Sequence, residues 1–200
     1  MTVPLKGIMH RSATISTALI TVCCLAPLTA CTGGDNNNSS PKPSARAALK
    51  LNQSADTAGA GGGGTLRITP DTVLYLRRTS SGTPERDLYA IVTFSAENRS
   101  KRPVTATTKT GGFRWKAANG HTVSAGNSKS AARIAPTGFA DGGPTVTSGT
   151  FRRNTVAFDI TNAERGGTLL YVDGNGDAFR WQIPATSSGR AVSALKLALT

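Results

Sequence analysis

The chain has 200 residues, with 23 Lys and Arg against 11 Asp and Glu, a formal charge of +12, and three cysteines at 23, 24 and 31. With no thiol beyond Cys31, a disulfide-stapled fold and a cysteine-based zinc site are excluded for the rest of the chain. Any domain there rests on its apolar core, which a chain of this length can bury.

Residues 1–30 fall into zones. Lys6, His10 and Arg11 make a positive start, and an uncharged run extends from Ser12 to Gly34. Its strongly apolar part, Ala18 to Leu28, is too short for the ~20 residues of a membrane span. This is the layout of a secretory signal peptide. Leu28-Thr29-Ala30-Cys31 resembles the lipobox of bacterial lipoproteins. That resemblance implies a diacylglyceryl group on the Cys31 thiol, cleavage before Cys31, further palmitate-type acylation, and a place on the extracytoplasmic face of the cell membrane. Two acyl chains hold where one binds marginally. The competing reading is an ordinary signal peptide cut after Ala30, with Cys31 incidental.

Residues 31–64 are rich in Gly, Asn, Ser and Ala and nearly free of large apolar side chains. They read as a disordered tether reaching roughly 30 Å.

From 65 to 184 the dominant period is two. Leu66 and Ile68 begin it. Leu88, Ala90, Val92, Phe94 and Ala96 follow on one face. So do Phe113, Trp115 and Ala117, then Val156, Phe158 and Ile160, then Phe179, Trp181 and Ile183. Arg114, Lys116, Thr155, Asp159, Arg180 and Gln182 alternate outward. "TLLYVD", 168–173, is apolar on both faces and reads as a central or partly covered strand. Asn119-Gly120 suits a tight hairpin with positive φ angles before "HTVSA". About seven short strands separated by turn residues imply an all-β, immunoglobulin-like antiparallel β-sandwich. Residues 124–149 hold one short strand at most and read as a mobile loop. Residues 185–200 form a tail, either frayed or a short helix with Val192, Leu195 and Leu199 on one face.

"LYAIVTFSAENRSKRPV", "FRWKAANGHTV", "VTSGTFRRNTVAFDIT", "TLLYV" and "FRWQI" come in an order that resembles the immunoglobulin-like, telokin-like extracellular domain of Gram-positive lipoproteins. Asn98, Asn119-Gly120, Gly149 and Val156-Ala157-Phe158 carry the likeness. That family has no assigned function and implies no catalytic residue and no cofactor.

The chemistry on offer is sparse. Asp173, Asn175 and Asp177 sit at positions one, three and five of a would-be calcium loop, but Ala178 replaces the glycine at position six and Pro184 stands where the bidentate Glu belongs. A plain hairpin turn is the preferred reading. His121 is the only histidine after Cys31, and with no nucleophile elbow nearby it reads as a solvated strand residue. The basic excess is the remaining signal. Removing Lys6 and Arg11 with the leader leaves a formal +10. Arg77 and Arg78, then Arg99, Lys101 and Arg102, then Arg152 and Arg153 form three clusters expected at strand ends, at least two of them at one pole. They suit anionic lipid, cell-wall polymer or another envelope protein rather than nucleic acid. Simple compositional bias is the competing explanation. The expectation is a non-enzymatic binding module. The alternative is a hydrolase or enzyme accessory subunit with its site in 124–149.

Overall fold

Alternating side chains decide which way each strand faces, and the resulting apolar faces close on one another. The computed structural model describes residues 47–135, 137–139 and 143–200. Cys31, and with it the expected signal peptide and lipidation site, lies outside the described residues.

In chain order the elements are β1 (Leu49–Lys50), β2 (Ala55–Ala58), a 3-10 turn (Ala60–Gly62), β3 (Thr65–Leu76), β4 (Leu88–Asn98), β5 (Val104–Thr105), β6 (Gly112–Lys116) and β7 (Thr122–Ser124). Then come α1 (Lys129–Ile134), β8 (Thr145–Val146), β9 (Phe151–Ile160), a 3-10 turn (Asn162–Glu164), β10 (Thr168–Val172), β11 (Ala178–Gln182), β12 (Ser188–Gly189) and α2 (Val192–Leu199). The first sheet has the order β1-β11-β10-β6-β7. The second has β12-β3-β4-β9, with β2 beside the first half of β3. A ribbon of β5 and β8 lies apart. Among the described residues only β1 and β11 pair in parallel. The fold is an all-β sandwich.

Every residue assigned inward by alternation is buried, from Leu66 to Ile183. The inner faces of both sheets join in one cluster. Aromatic rings tie the sheets together: Phe94 of the second sheet sits 4.5 Å, centroid to centroid, from Phe113 of the first, and Trp115 sits 5.8 Å from Phe158. Both indoles are also hydrogen-bonded. Trp115 Nε1 donates to the Glu164 carbonyl at 3.0 Å, and Trp181 Nε1 to that of Gln53 at 2.8 Å. β10 is central in its sheet, as its two apolar faces required.

Three expectations are corrected. First, the domain does not begin at 65. Leu49 and Leu51 pack on the core, and β2 buries Ala55 and Thr57 while pairing with β3. Backbone pairing and the Trp181 bond supply what low hydrophobicity seemed to deny. Gly59 serves close packing: a Cβ on it would lie 2.5 Å from Val104 Cγ1 and 2.2 Å from the Gly63 carbonyl oxygen. Second, the domain does not end at 184. β12 pairs with β3, and α2 lays Leu195 and Leu199 against Tyr89, Ile91 and Ala157 on the outer face of the second sheet. Third, 124–149 is not a bare loop. The Asn127 amide makes two hydrogen bonds to the Asp159 backbone, covering the edge of β9. Ser128 caps α1 by accepting the Ala131 N–H at 3.1 Å, and α1 buries Ala131 on the same outer face as α2. In the β6–β7 turn only Gly120 takes a positive φ, 87°, while Asn119 Oδ1 accepts the His121 N–H.

Candidate functional site

The two outer faces differ in what covers them. One end of the second sheet's outer face lies beneath α1 and α2. Its other end is polar, and its cations are matched. Arg67 makes a bidentate pair with Asp56 at 2.8 and 3.0 Å. Arg99 pairs with Glu97 at 2.7 Å. Asp71 sits in a β-bulge between Pro70 and Thr72, 4% exposed. Its carboxylate accepts the Thr93 hydroxyl at 2.6 Å, pairs with Arg153, and meets Arg190 at 3.4 Å.

The three basic clusters lie as strand direction dictates. Arg152 stands opposite Ala96 and Arg153 opposite Ser95, so this pair shares one pole with Arg99, Lys101 and Arg102 at the end of β4. Arg77 and Arg78 follow β3 at the other pole. The shared pole is less basic than its sequence suggests, because Arg99 and Arg153 are paired. Lys101 and Arg102 edge an open cleft of about 520 Å³ with Gly63, Gly64 and Pro103. Arg77 donates to Asn162 Oδ1 at 3.3 Å, and Arg78 edges a cleft of about 580 Å³ with Thr83 and Thr200.

The first sheet is different. Helices α1 and α2 pack on the second sheet, not on this one. Its outward strand positions are Lys50; Ala178, Arg180 and Gln182; Thr168, Leu170 and Val172; Gly112, Arg114 and Lys116; Thr122 and Ser124. Four are cationic and none is a carboxylate. Pairing sets them in rows: Arg114, Leu170 and Arg180 in one, Lys116, Thr168 and Gln182 in the next. Beside the second row is a depression of about 340 Å³ that Lys116, Gly167, Thr168, Arg180 and Gln182 help to line, with no acid among its lining residues. Its polar side chains are hydrogen-bond donors, so it suits a group rich in acceptor oxygens.

Asp173 forms the β10–β11 turn. Its carboxylate accepts backbone N–H groups from Ala58 at 2.7 Å, Asn175 at 2.9 Å and Asp177 at 3.0 Å. Both oxygens are thus occupied by the turn and by β2. Among the described residues no group of three or more His, Cys, Asp or Glu side chains gathers as a metal site.

His121 is not simply solvated. Its Nδ1 lies 2.5 Å from Glu164 Oε1. Glu164, 4% exposed, also accepts the Thr161 N–H at 2.8 Å in a capping box and faces Arg86 at 3.5 Å. Burial works to raise the Glu164 carboxyl, but the Thr161 bonds and His121 outweigh it and hold the carboxyl below its ordinary value. The pair fastens the β6–β7 hairpin to the β9–β10 connection.

No family model matches the chain, and no curated protein matches it. A crystal structure of a conserved hypothetical protein from Bacillus anthracis is similar with a TM-score of 0.40 at 14% identity, over 66% of this chain and 94% of that one.

Alternation alone pointed Arg114, Lys116 and Arg180 outward. It did not show that β10 would lie between β6 and β11 and bring the three together. The Asp71 bulge left one readable trace, a Pro-Asp step inside an otherwise strand-like run, since proline within sheets is confined to edges and bulges.

Proposed function

We propose that this chain is a non-enzymatic binding module, anchored through a lipid on Cys31 at the extracytoplasmic face of the membrane, that holds an anionic envelope component on the outer face of its first sheet. The lipobox-like Leu28–Cys31 supports the address. Among the described residues no helix is long and apolar enough to cross a membrane. The observation that carries the binding role is a face with Lys50, Arg114, Lys116 and Arg180 at its outward strand positions and no carboxylate, on which neither helix among the described residues packs. Each basic residue near an anionic surface contributes about 1 kcal/mol, so four give about 4 kcal/mol, roughly a thousandfold in affinity.

The test is retention of the full chain, in neutral detergent, on isolated anionic envelope material from low to high salt. Arg114→Glu/Arg180→Glu is expected to abolish retention, while Arg77→Glu/Arg78→Glu leaves most of it. Wild-type retention that ignores salt, or survives the first pair of changes, would refute the reading, because exposed charges are screened over about 8–10 Å at physiological ionic strength.

A further inference from the structure

The depression at the edge of the basic face has a more specific chemistry than the face as a whole. Its two cations stand on opposite sides. Lys116 is on β6 and Arg180 on β11, with Thr168 and Leu170 of β10 between them. Strands lie about 4.8 Å apart, so the backbones carrying the two cations are separated by roughly 10 Å. A group bound there is approached from two sides at once. A carboxylate ends its side branch with two acceptor oxygens, whereas a phosphodiester projects two charged oxygens from a tetrahedral phosphorus within the chain itself, one for Lys116 and one for Arg180, while the chain passes on.

Gly167, under the depression, sits tight against the core: a Cβ there would lie 2.6 Å from Trp115 Nε1 and 2.7 Å from the Lys116 carbonyl oxygen, so the backbone beneath the site is pinned. Leu170 and Arg180, which help to line the depression, also form a row with Arg114, so the cationic lining continues along the face. A phosphate or sulfate monoester fills the depression alone, whereas a phosphodiester carries its chain on to a next charge beside Arg114. A flat lipid surface is disfavoured because the aromatic residues of this sheet, Phe113, Trp115, Tyr171, Phe179 and Trp181, all point inward. The large apolar side chains left exposed, Phe151 and Leu197, belong to β9 and α2, away from this sheet.

We infer that the depression lined by Lys116, Thr168, Arg180 and Gln182 is a subsite for one phosphodiester group of a linear anionic polymer whose neighbouring charges run toward Arg114. The inference rests on the reading of the open face given above.

The experiment uses the full chain in neutral detergent with three probes: poly(glycerol phosphate), poly-L-glutamate of equal charge, and phosphatidylglycerol in mixed micelles of the same detergent, compared with phosphatidylcholine. Binding is measured at low and physiological salt for wild type, Lys116→Gln/Arg180→Gln, and the control Arg77→Gln/Arg78→Gln. The phosphodiester polymer is expected to bind at least tenfold tighter than poly-L-glutamate. It should lose at least tenfold in the first variant and nothing in the control. Melting temperatures check that the variants fold, and amide shifts of Gly167 and Gln182 on titrating wild type locate the site without any mutation. Equal binding of poly-L-glutamate overturns the phosphodiester subsite and leaves the anionic-partner reading standing. A preference for phosphatidylglycerol over phosphatidylcholine micelles without polymer binding overturns the polymer and again leaves that reading. Failure of every probe at low salt overturns both.

Discussion

Asp71→Ala tests how the second sheet holds the C-terminal segment. The Asp71 carboxylate is buried and joins β4 through Thr93, β9 through Arg153 and the β12–α2 segment through Arg190. Removing one partner of a fully buried ion pair costs about 3–5 kcal/mol. That figure is too large here, because the Arg153 and Arg190 side chains are 47% and 73% exposed and return to water. Each exposed pair contributes at most about 1 kcal/mol. The Thr93 hydroxyl loses a charged acceptor, worth about 1.5 kcal/mol at the low end for such bonds. The expected total is about 2–3 kcal/mol, a fall in melting temperature of roughly 5–10 °C for a domain of this size. The loss should be uneven. Ser188 and Gly189 pair with Val73 and Thr72 directly after the bulge, and the Ala191 N–H reaches Thr72 Oγ1 at 3.3 Å. Amide exchange across 188–200 should therefore quicken more than across β4 or β10. Asp71→Asn, which keeps an acceptor for Thr93, should fall between the two. A melting temperature within a degree of wild type, or unchanged exchange at 188–200, would refute this account of the bulge.

Trp181→Ala should cost about 3–5 kcal/mol as a buried aromatic truncation, and Trp181→Phe should selectively loosen 49–53 by removing the bond to Gln53, read by amide exchange. Tryptophan fluorescence of the native chain should peak well to the blue of free indole, since Trp115 and Trp181 are both buried. Because the Glu164 carboxyl is held below its ordinary value, its stabilisation is present above its unfolded pKa of about 4.3 and is lost as pH falls through the lower folded value. Urea unfolding of Glu164→Gln should accordingly show a shallower loss of stability below about pH 4.3 than wild type does. Cys31→Ser should accumulate an uncleaved precursor without acyl label, and normal processing of that variant would remove the lipid anchor from the proposal.

What the sequence revealed follows from how strongly each element is specified by burial. Long strands with one buried face advertise themselves, because a one-residue slip would turn Leu66, Ile68, Phe94 and Ala96 out of the core. Short elements do not. β1 and β12 are two residues each, β2 is "ADTA", and α1 is "KSAARI" within a Gly- and Ser-rich stretch. None carries a periodic apolar signal, and each is held by bonds to residues far along the chain. Ala58 bonds to Asp173, Gln53 to Trp181, and Asn127 to Asp159. The alternation that Leu66 and Ile68 begin breaks at Pro70-Asp71. In the fold Pro70 continues the strand and Asp71 is the extra residue of the bulge. The binding face was half legible for the same reason. Local pattern sets the direction of Arg114 and Arg180, while their proximity depends on long-range pairing with β10.

The allocation of acidic residues bears on whether the basic surplus is mere composition. The chain has only 11 carboxylate side chains. Among the described residues each is engaged by the fold. Asp173 closes a turn, Glu164 caps one, Asp159 accepts the N–H groups of Glu85 and Arg86, and Glu85 and Asp87 accept those of Lys129 and Asn162. Asp56, Asp71 and Glu97 pair with arginines around the second sheet, and Asp177 has a partner of its own. A compositional excess scattered at random would leave unmatched cations at the outward strand positions of both sheets. Here Arg67 and Arg153, at those of the second, are paired with Asp56 and Asp71, while those of the first hold four cations and no carboxylate. Like charges on one face repel, which destabilises the compact state a little. An anionic partner on that face turns the same repulsion into attraction, so the melting temperature should rise when a polyanion is added at low salt. Arg114→Gln/Arg180→Gln should melt no lower than wild type without polyanion and gain less from its addition. If the variant melts lower alone, or gains as much, the face is not where the charge acts.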